Sequence, residues 1–390
     1  MLPIDGMRLE FFAEQAARSR RTERLAECDP SNPFCTRPYF AFMQDSGYEA
    51  WLFGLQRGDA IAGGCGAFIR SGRLNRTLEI LSAPALPDMA AFWDGLLSFC
   101  RQNRITHLEL NSFASANLLL PALAGEQGRV RRWECVMDLA GGDIWERLHA
   151  KHRQRVRKAQ KAGVQVRCTS QEAACVQHES LLRSSSDRRR RRGEKLADSS
   201  EAQSSALLIR HGAGELFQAV LDGQVVSSVL VTLAAKGGYS HTAGTSPEGM
   251  SCGASHLLNY EIARALQSRS MELYNLGGIH ELESGLAEYK LRFGARLVEL
   301  GAANFFLGGR LRKGLTTAVR LARDMRGFRA DTAPKSDSRQ VSRGGPGGSS
   351  LAEGPAKFRA ASAWRHGLGA MESTFLADSP RIHSLVSAPS

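Results

Sequence analysis

The chain lacks any run approaching the roughly 20 apolar residues that a membrane-spanning helix requires. No transmembrane segment is therefore expected. Its eight cysteines (Cys28, Cys35, Cys65, Cys100, Cys135, Cys168, Cys175 and Cys252) contain no CxxC pair and no zinc-ligand spacing. No metal site is expected. Several of these thiols lie in apolar runs, where cysteine packs as a small hydrophobe. The first ten residues lack the apolar segment of a secretory signal, so the expected location is the cytoplasm. No Ser-His-Asp or Cys-His arrangement is legible, and Cys252 has no obvious partner base, which disfavours a covalent intermediate.

What the chain has is positive charge. Its 390 residues carry a formal charge of +12, with a pI near 9.6. Such a balance points to an anionic partner. Candidates are a nucleotide-bearing substrate (an acyl-CoA, a nucleotide-sugar or a tRNA), a nucleic acid, or peripheral contact with an anionic membrane. Hydrophobic and charged contents of 43% and 23% are those of an ordinary globular protein.

The order strand, strand, strand, helix, strand occurs twice, the copies about 164 residues apart. In the first, Trp51 to Gln56 and Ala60 to Ile69 flank a turn at Gly58-Asp59. Thr77 to Ser82, a helix from Asp88 to Asn103 and a strand from Ile105 to Asn111 follow. In the second, Glu215 to Leu221 and Val225 to Ala234 flank Asp222-Gly223. Tyr239 to Gly244, a helix from Ala254 to Ser268 and Met271 to Leu276 follow. A fixed internal period indicates a duplicated unit. Two α/β units packed side by side leave a cleft between them, which is where a site is expected.

Between Arg147 and Lys161 stand seven Lys or Arg residues and no acid. A helix is expected from Asp143, its N-cap, to Ala162, with Gly163 closing it. Helical periodicity places Ile144, Trp145, Leu148, Val156, Ala159 and Ala162 on the buried arc. Arg155 and Lys151 project within or beside that arc. They are expected to meet either a substrate phosphate or carboxylate, or an acid of the same domain. A helix is also expected from Gly6 to Arg24 and another from Gln171 to Arg183. The run Arg188 to Arg192 is read as a solvated loop.

The second unit ends in Tyr274-Asn275-Leu276-Gly277-Gly278, where paired glycines let backbone approach a ligand closely. The loop from Pro247 to Gly253 feeds a helix whose free N–H groups suit an anion or a polarised carbonyl. His280, Glu281, Glu283, His241 and Tyr239 are candidate proton acceptors or substrate contacts, each with a purely structural alternative.

The segment from His152 to Gly163 resembles the R-x-x-I-R-K-A-x-K-x-G pattern of the Fem-type peptidyltransferases. The Tyr274 to Gly278 strand end and Tyr289-Lys290-x-x-Phe293-Gly294 are similar to two further motifs of that family, the latter usually written F-K-x-x-F-G. These enzymes and their BioF2-like acetyltransferase relatives consist of two GNAT-like domains. The resemblance runs from about Glu49 to Leu307. It implies an α/β (α+β) fold of two GNAT-like βββαβ domains in tandem, 1–140 and 141–307, with a cleft between them. A basic C-terminal helix at 308–330 and a Gly/Pro/Ser-rich, disordered tail at 331–390 would follow.

The resemblance also implies an acyltransferase of cell-wall biogenesis. Such an enzyme moves an acyl or aminoacyl group onto an amine of a cell-envelope precursor, a peptidoglycan peptide or a sugar. It would hold no tightly bound cofactor and would use acyl-CoA or aminoacyl-tRNA as donor substrate. Lys290 takes the position of the family lysine thought to stabilise charge on the acyl group. Lys151, Arg155, Tyr239, Gly277, Gly278 and Phe293 are the candidate substrate contacts. No inserted helical hairpin of the kind some members use as a tRNA-binding arm is legible. Two alternatives stand beside this reading: an acyl-CoA-dependent N-acetyltransferase of exopolysaccharide or lipid synthesis, and a non-catalytic nucleic-acid-binding protein.

Overall fold

A computed structural model describes residues 8–72, 75–115, 120–191, 193, 201–279 and 281–309. The basic segment from Arg310 onward, the tail at 331–390, His280 and Arg192 lie outside the described residues. The first half contains β1 (Glu10–Gln15), α1 (Thr22–Cys28), α2 (Arg37–Asp45), β2 (Glu49–Arg57), β3 (Ala60–Ser71), β4 (Arg76–Ile80), α3 (Met89–Gln102), β5 (His107–Asn111) and β6 (Glu126–Asp138). The second contains α4 (Ile144–Arg147), α5 (Ala150–Lys161), β7 (Gln165–Thr169), α6 (Cys175–Arg191), α7 (Glu201–Arg210), β8 (Gly214–Leu221), β9 (Gln224–Leu233) and β10 (Gly237–Thr245). It continues through α8 (Pro247–Cys252), α9 (Ala254–Ser268), β11 (Leu273–Ile279), α10 (Gly285–Leu291) and β12 (Arg296–Phe306).

Both expected copies are present, and the Asp222-Gly223 turn places both residues at positive φ, the geometry of a tight two-residue hairpin. Three local expectations are corrected. Residues 6–24 do not form one helix, because Phe11 and Phe12 bury on opposite faces of a strand. Phe11 packs against Phe53 and Phe92, while Phe12 joins a separate cluster, as alternation along a β-strand requires. The helix expected from 143 breaks at Leu148 and His149, both extended, and restarts as α5 with His149 Nδ1 accepting the Lys151 N–H at 3.2 Å. Asp143 does cap the first piece, and Gly163 has φ +80. The arginine run continues α6 through Arg191. Arg188 donates to Ser184 and Ser185 and to the Thr245 carbonyl.

The twelve strands form one sheet in the order β1-β2-β3-β4-β5-β12-β6-β11-β10-β9-β8-β7. The order shows an exchange. The sixth strand of the first half's sheet is β12, from the end of the second half, and β6 from the first half completes the second half's sheet. These two meet antiparallel at the centre, with Glu134 opposite Val298. The offset that relates Asn111 to Asn275 relates this pair too.

Three apolar clusters cover the sheet. One lies under α3, one under α5 and α9, and the third joins the halves through Phe34, Tyr39, Tyr239 and Leu300. Phe34 and Tyr239 stand edge to face at 5.3 Å. Gly237 admits no side chain, since a Cβ there would lie 2.3 Å from the Ser31 carbonyl oxygen. The loop before α2 therefore docks directly on the start of β10.

Candidate active site

Parallel pairing of β10 with β11 stops after three residues, at Tyr239 and Asn275, although β10 continues to Thr245 and β11 to Ile279. Each strand is irregular there, β10 between Ser240 and Thr242 and β11 between Asn275 and Gly278. Gly277 takes φ +82, and its N–H turns to the Asn275 side chain at 2.8 Å instead of the ladder. Bulges of this kind end pairing and re-aim side chains. The two strands part, and the site is built where they part.

At that point sits Glu134, 1% exposed. Its carboxylate accepts the Tyr239 hydroxyl at 2.7 Å, the Asn275 amide at 2.6 Å and the Ala114 N–H at 3.1 Å. Burial raises its pKa, and these three donors together with the charge of Lys290 oppose the rise. Lys290, also 1% exposed, donates from Nζ to the Gly278 carbonyl at 2.7 Å. Gly278 in turn pairs with Glu134 across β11 and β6. A cavity of about 580 Å³ lies over this group. Asp29 and Ser115 line it from the first half, and Glu134, Tyr239, Asn275 and Arg296 line it around the central strands.

The structure thus gathers Tyr239, Gly277, Gly278 and Lys290 around Glu134. Lys290 is not on the cavity wall; it lies beneath the floor and acts on it through Glu134 and Gly278. Phe293 is fully buried against His152 and Tyr289, at 4.5 and 5.2 Å between ring centroids. It belongs to the core beside α5, not to the cavity.

Lys151 and Arg155 are corrected from half-buried to exposed. The inward face of α5 is filled by His152, Val156 and Ala159. Arg155 stands near the start of α9, where its charge adds to burial in holding His152 neutral to about 4 and His256 to about 3. None of Lys151, Arg153, Arg155, Arg157, Lys158 and Lys161 makes an ion pair among the described residues.

The start of α9 has no side-chain cap. Its N-cap Gly253 has φ +85 and lies against the Arg155 carbonyl. His241 is buried, with Nδ1 lacking a partner, and burial holds it neutral to about 4. Glu281 and Glu283 are exposed.

Sequence reading missed Glu134, Asp29 and Arg296. A signal for Glu134 was present: a single acid within the otherwise apolar run Trp133-Glu134-Cys135-Val136-Met137. Among the described residues, no group of three or more His, Cys, Asp or Glu is placed to hold a metal ion. No helix among them is long and apolar enough to cross a membrane.

Residues 146–291 match the acetyltransferase (GNAT) domain family. The crystal structure of FemX superposes with a TM-score of 0.57 at 12% identity, covering 79% of this chain and 99% of that one. At that identity the likeness is one of fold. A tandem GNAT protein from the clavulanic acid biosynthesis pathway covers 77% of this chain and 99% of its own, at 13% identity and a TM-score of 0.47. The L-PGS structure from Bacillus licheniformis covers 79% and 98%, at the same identity and TM-score. Neither carries further argument. No curated protein sequence matches the chain. The α/β fold is tandem GNAT-like, and the family match lies within its second half.

Proposed function

We propose that the protein is an N-acyltransferase that moves an acyl or aminoacyl group onto an amine of a cell-envelope precursor by direct attack. The observation that carries this reading is the meeting of three features at one point: the parting of β10 and β11, the Glu134 network, and the buried Lys290 ammonium. The acceptor enters the cavity as an ammonium ion. Glu134, whose pKa burial raises above the ordinary carboxylate value, takes one proton. The amine nitrogen then bonds to the acyl carbon, and the carbon–sulfur or carbon–oxygen bond to the donor breaks. The second proton released by the nitrogen leaves with the departing group.

Lys290, beneath the floor and bonded to the Gly278 carbonyl, contributes positive potential to the oxyanion at a distance and offsets part of the Glu134 charge. The donor, acyl-CoA or aminoacyl-tRNA, is drawn by the unpaired cations of α5 and approaches the uncapped start of α9. The Fem-type motif spacing supports an envelope amine as acceptor.

Incubation with labelled acetyl-CoA and with charged tRNA, each with a mixture of amino-sugar and peptide acceptors, tests the reading. Label should pass from one donor to an amine. No transfer from either donor, in a folded sample, would remove it. The exposed basic face of α5 also favours a second reading, a non-catalytic nucleic-acid-binding protein. That reading requires RNA binding with a steep salt slope in the absence of any transfer.

A further inference from the structure

The cavity has an uneven charge distribution that the transfer reaction alone does not require. Its floor and one wall carry two carboxylates, Glu134 and Asp29. Asp29 accepts the Asn32 side-chain amide, at 3.2 Å, and the Ser31 N–H, and makes no ion pair among the described residues. The rim carries Arg296. It is exposed and likewise makes no ion pair among the described residues.

The strand register places two of these charges on one face of the sheet. Arg296 pairs with Val136, two residues along β6 from Glu134. Residues two apart on a strand point to the same face and are separated by roughly 7 Å. The guanidinium therefore rises on the same side of the sheet as the Glu134 carboxylate. Lys290, beneath the floor, already offsets part of the Glu134 charge. Asp29 is then the carboxylate best placed to hold an incoming cation. Arg296, with its planar fork of donors, suits a carboxylate or a phosphate.

We infer that the cavity selects a zwitterionic acceptor, a primary amine joined by a short chain to a carboxylate or phosphate, with the ammonium held between Asp29 and Glu134 and the anion held by Arg296. This inference rests on the transferase reading for its choice of site but concerns only what the cavity holds. A neutral-tailed amine would leave Arg296 unpaired, and an anion without an amine would face two carboxylates. Both arrangements give up a charge-assisted contact that the zwitterion makes.

Calorimetric titration at pH 8 tests it with four probes: 6-aminohexanoate, hexylamine, hexanoate and glucosamine 6-phosphate. At least one of 6-aminohexanoate and glucosamine 6-phosphate should bind tenfold or more tightly than hexylamine and hexanoate. Which of the two it is distinguishes carboxylate from phosphate. Arg296→Gln should weaken the zwitterion at least tenfold and leave hexylamine unchanged. Asp29→Asn should weaken every amine-bearing probe that binds. Both positions are solvent-accessible, so thermal unfolding should not move.

Equal binding of hexylamine and 6-aminohexanoate, no binding of any probe, or indifference of the zwitterion to Arg296→Gln would each overturn the inference. The two readings can fail separately. Zwitterion binding without transfer from any donor would sink the transferase reading and leave this one. Transfer to a neutral-tailed amine that is indifferent to Arg296→Gln would do the reverse.

Discussion

The duplicated helices α3 and α9 begin differently. In the first half Asp88 accepts the Ala91 N–H at 2.9 Å, so α3 starts under its own carboxylate. In the second half the corresponding position is Gly253, which offers no side chain. A helix start favours negative charge, and the first half supplies that charge internally. The second half leaves the position to something else and sets Arg155 and His256 beside it. The family match falls in the same half, at residues 146–291. Duplication produced two frames that differ at this point; on the transferase reading the chemistry lies in the second, with the first contributing Asp29 and Ser115 to the cavity wall.

The largest test of this asymmetry is Lys290→Met. The residue at the equivalent offset in the first half, Glu126, is paired with Arg129. Loss of the buried ammonium should slow transfer by roughly tenfold or more, about 1.4 kcal/mol, in single-turnover assays of folded protein. Transfer at the wild-type rate would return the two halves to equivalence.

A second contrast sets Glu134, with three donors, against Glu79, whose side chain has no hydrogen bond among the described residues. Glu79 stands beside Glu109 in the β4–β5 register, and burial, reinforced by that neighbour, pushes its pKa up to about 8. A carboxyl raised above its unfolded value of 4.5 favours folding fully below about pH 4.5, and this contribution is lost as pH rises through about 8. Wild-type stability should therefore fall by as much as about 1.4 kcal/mol per pH unit within that window. Glu79→Gln should flatten the fall in urea melts taken from pH 5 to 9. An unchanged slope would mean that Glu79 is not the group responsible.

The two helix starts themselves provide a third test. Gly253→Ala forces a side chain into positive φ and to 2.7 Å from a carbonyl oxygen, and should cost about 1–3 kcal/mol. Asp88→Ala should cost about 1 kcal/mol through the lost cap and leave transfer unaffected. The smallest effect is expected from Arg155→Ala. A roughly threefold rise in donor KM at low salt should vanish at high salt, as for an exposed charge acting at a distance.

Much of the frame was legible because each copy announces itself locally. Alternating strands flank Gly-Asp and Asp-Gly turns, and helices begin after Asp88 and Gly253. What was not legible depends on distant partners. β1 reads as helical until β2 is there to pair with it, and β12 finds its neighbours in β5 and β6, far back in the chain. Within the site, Lys290 and Tyr239 were reached through motif and spacing. Glu134, Asp29 and Arg296 were not, because a buried or rim charge takes its meaning from what faces it. Arg155 and Lys151 went the other way. Helical projection places them near the apolar arc, but His152, Val156 and Ala159 suffice to cover α9.

The crossed strands at the middle of the sheet also bear on how the protein is made. While the ribosome is still adding the second half, β5 has emerged with one edge bare, and its eventual neighbour β12 is the last of the described strands to appear. A nascent chain holding an unpaired edge through that interval is open to mispairing with other chains. Neither half should fold alone when expressed separately, and co-expressed halves should recover only by reciprocal donation of β6 and β12.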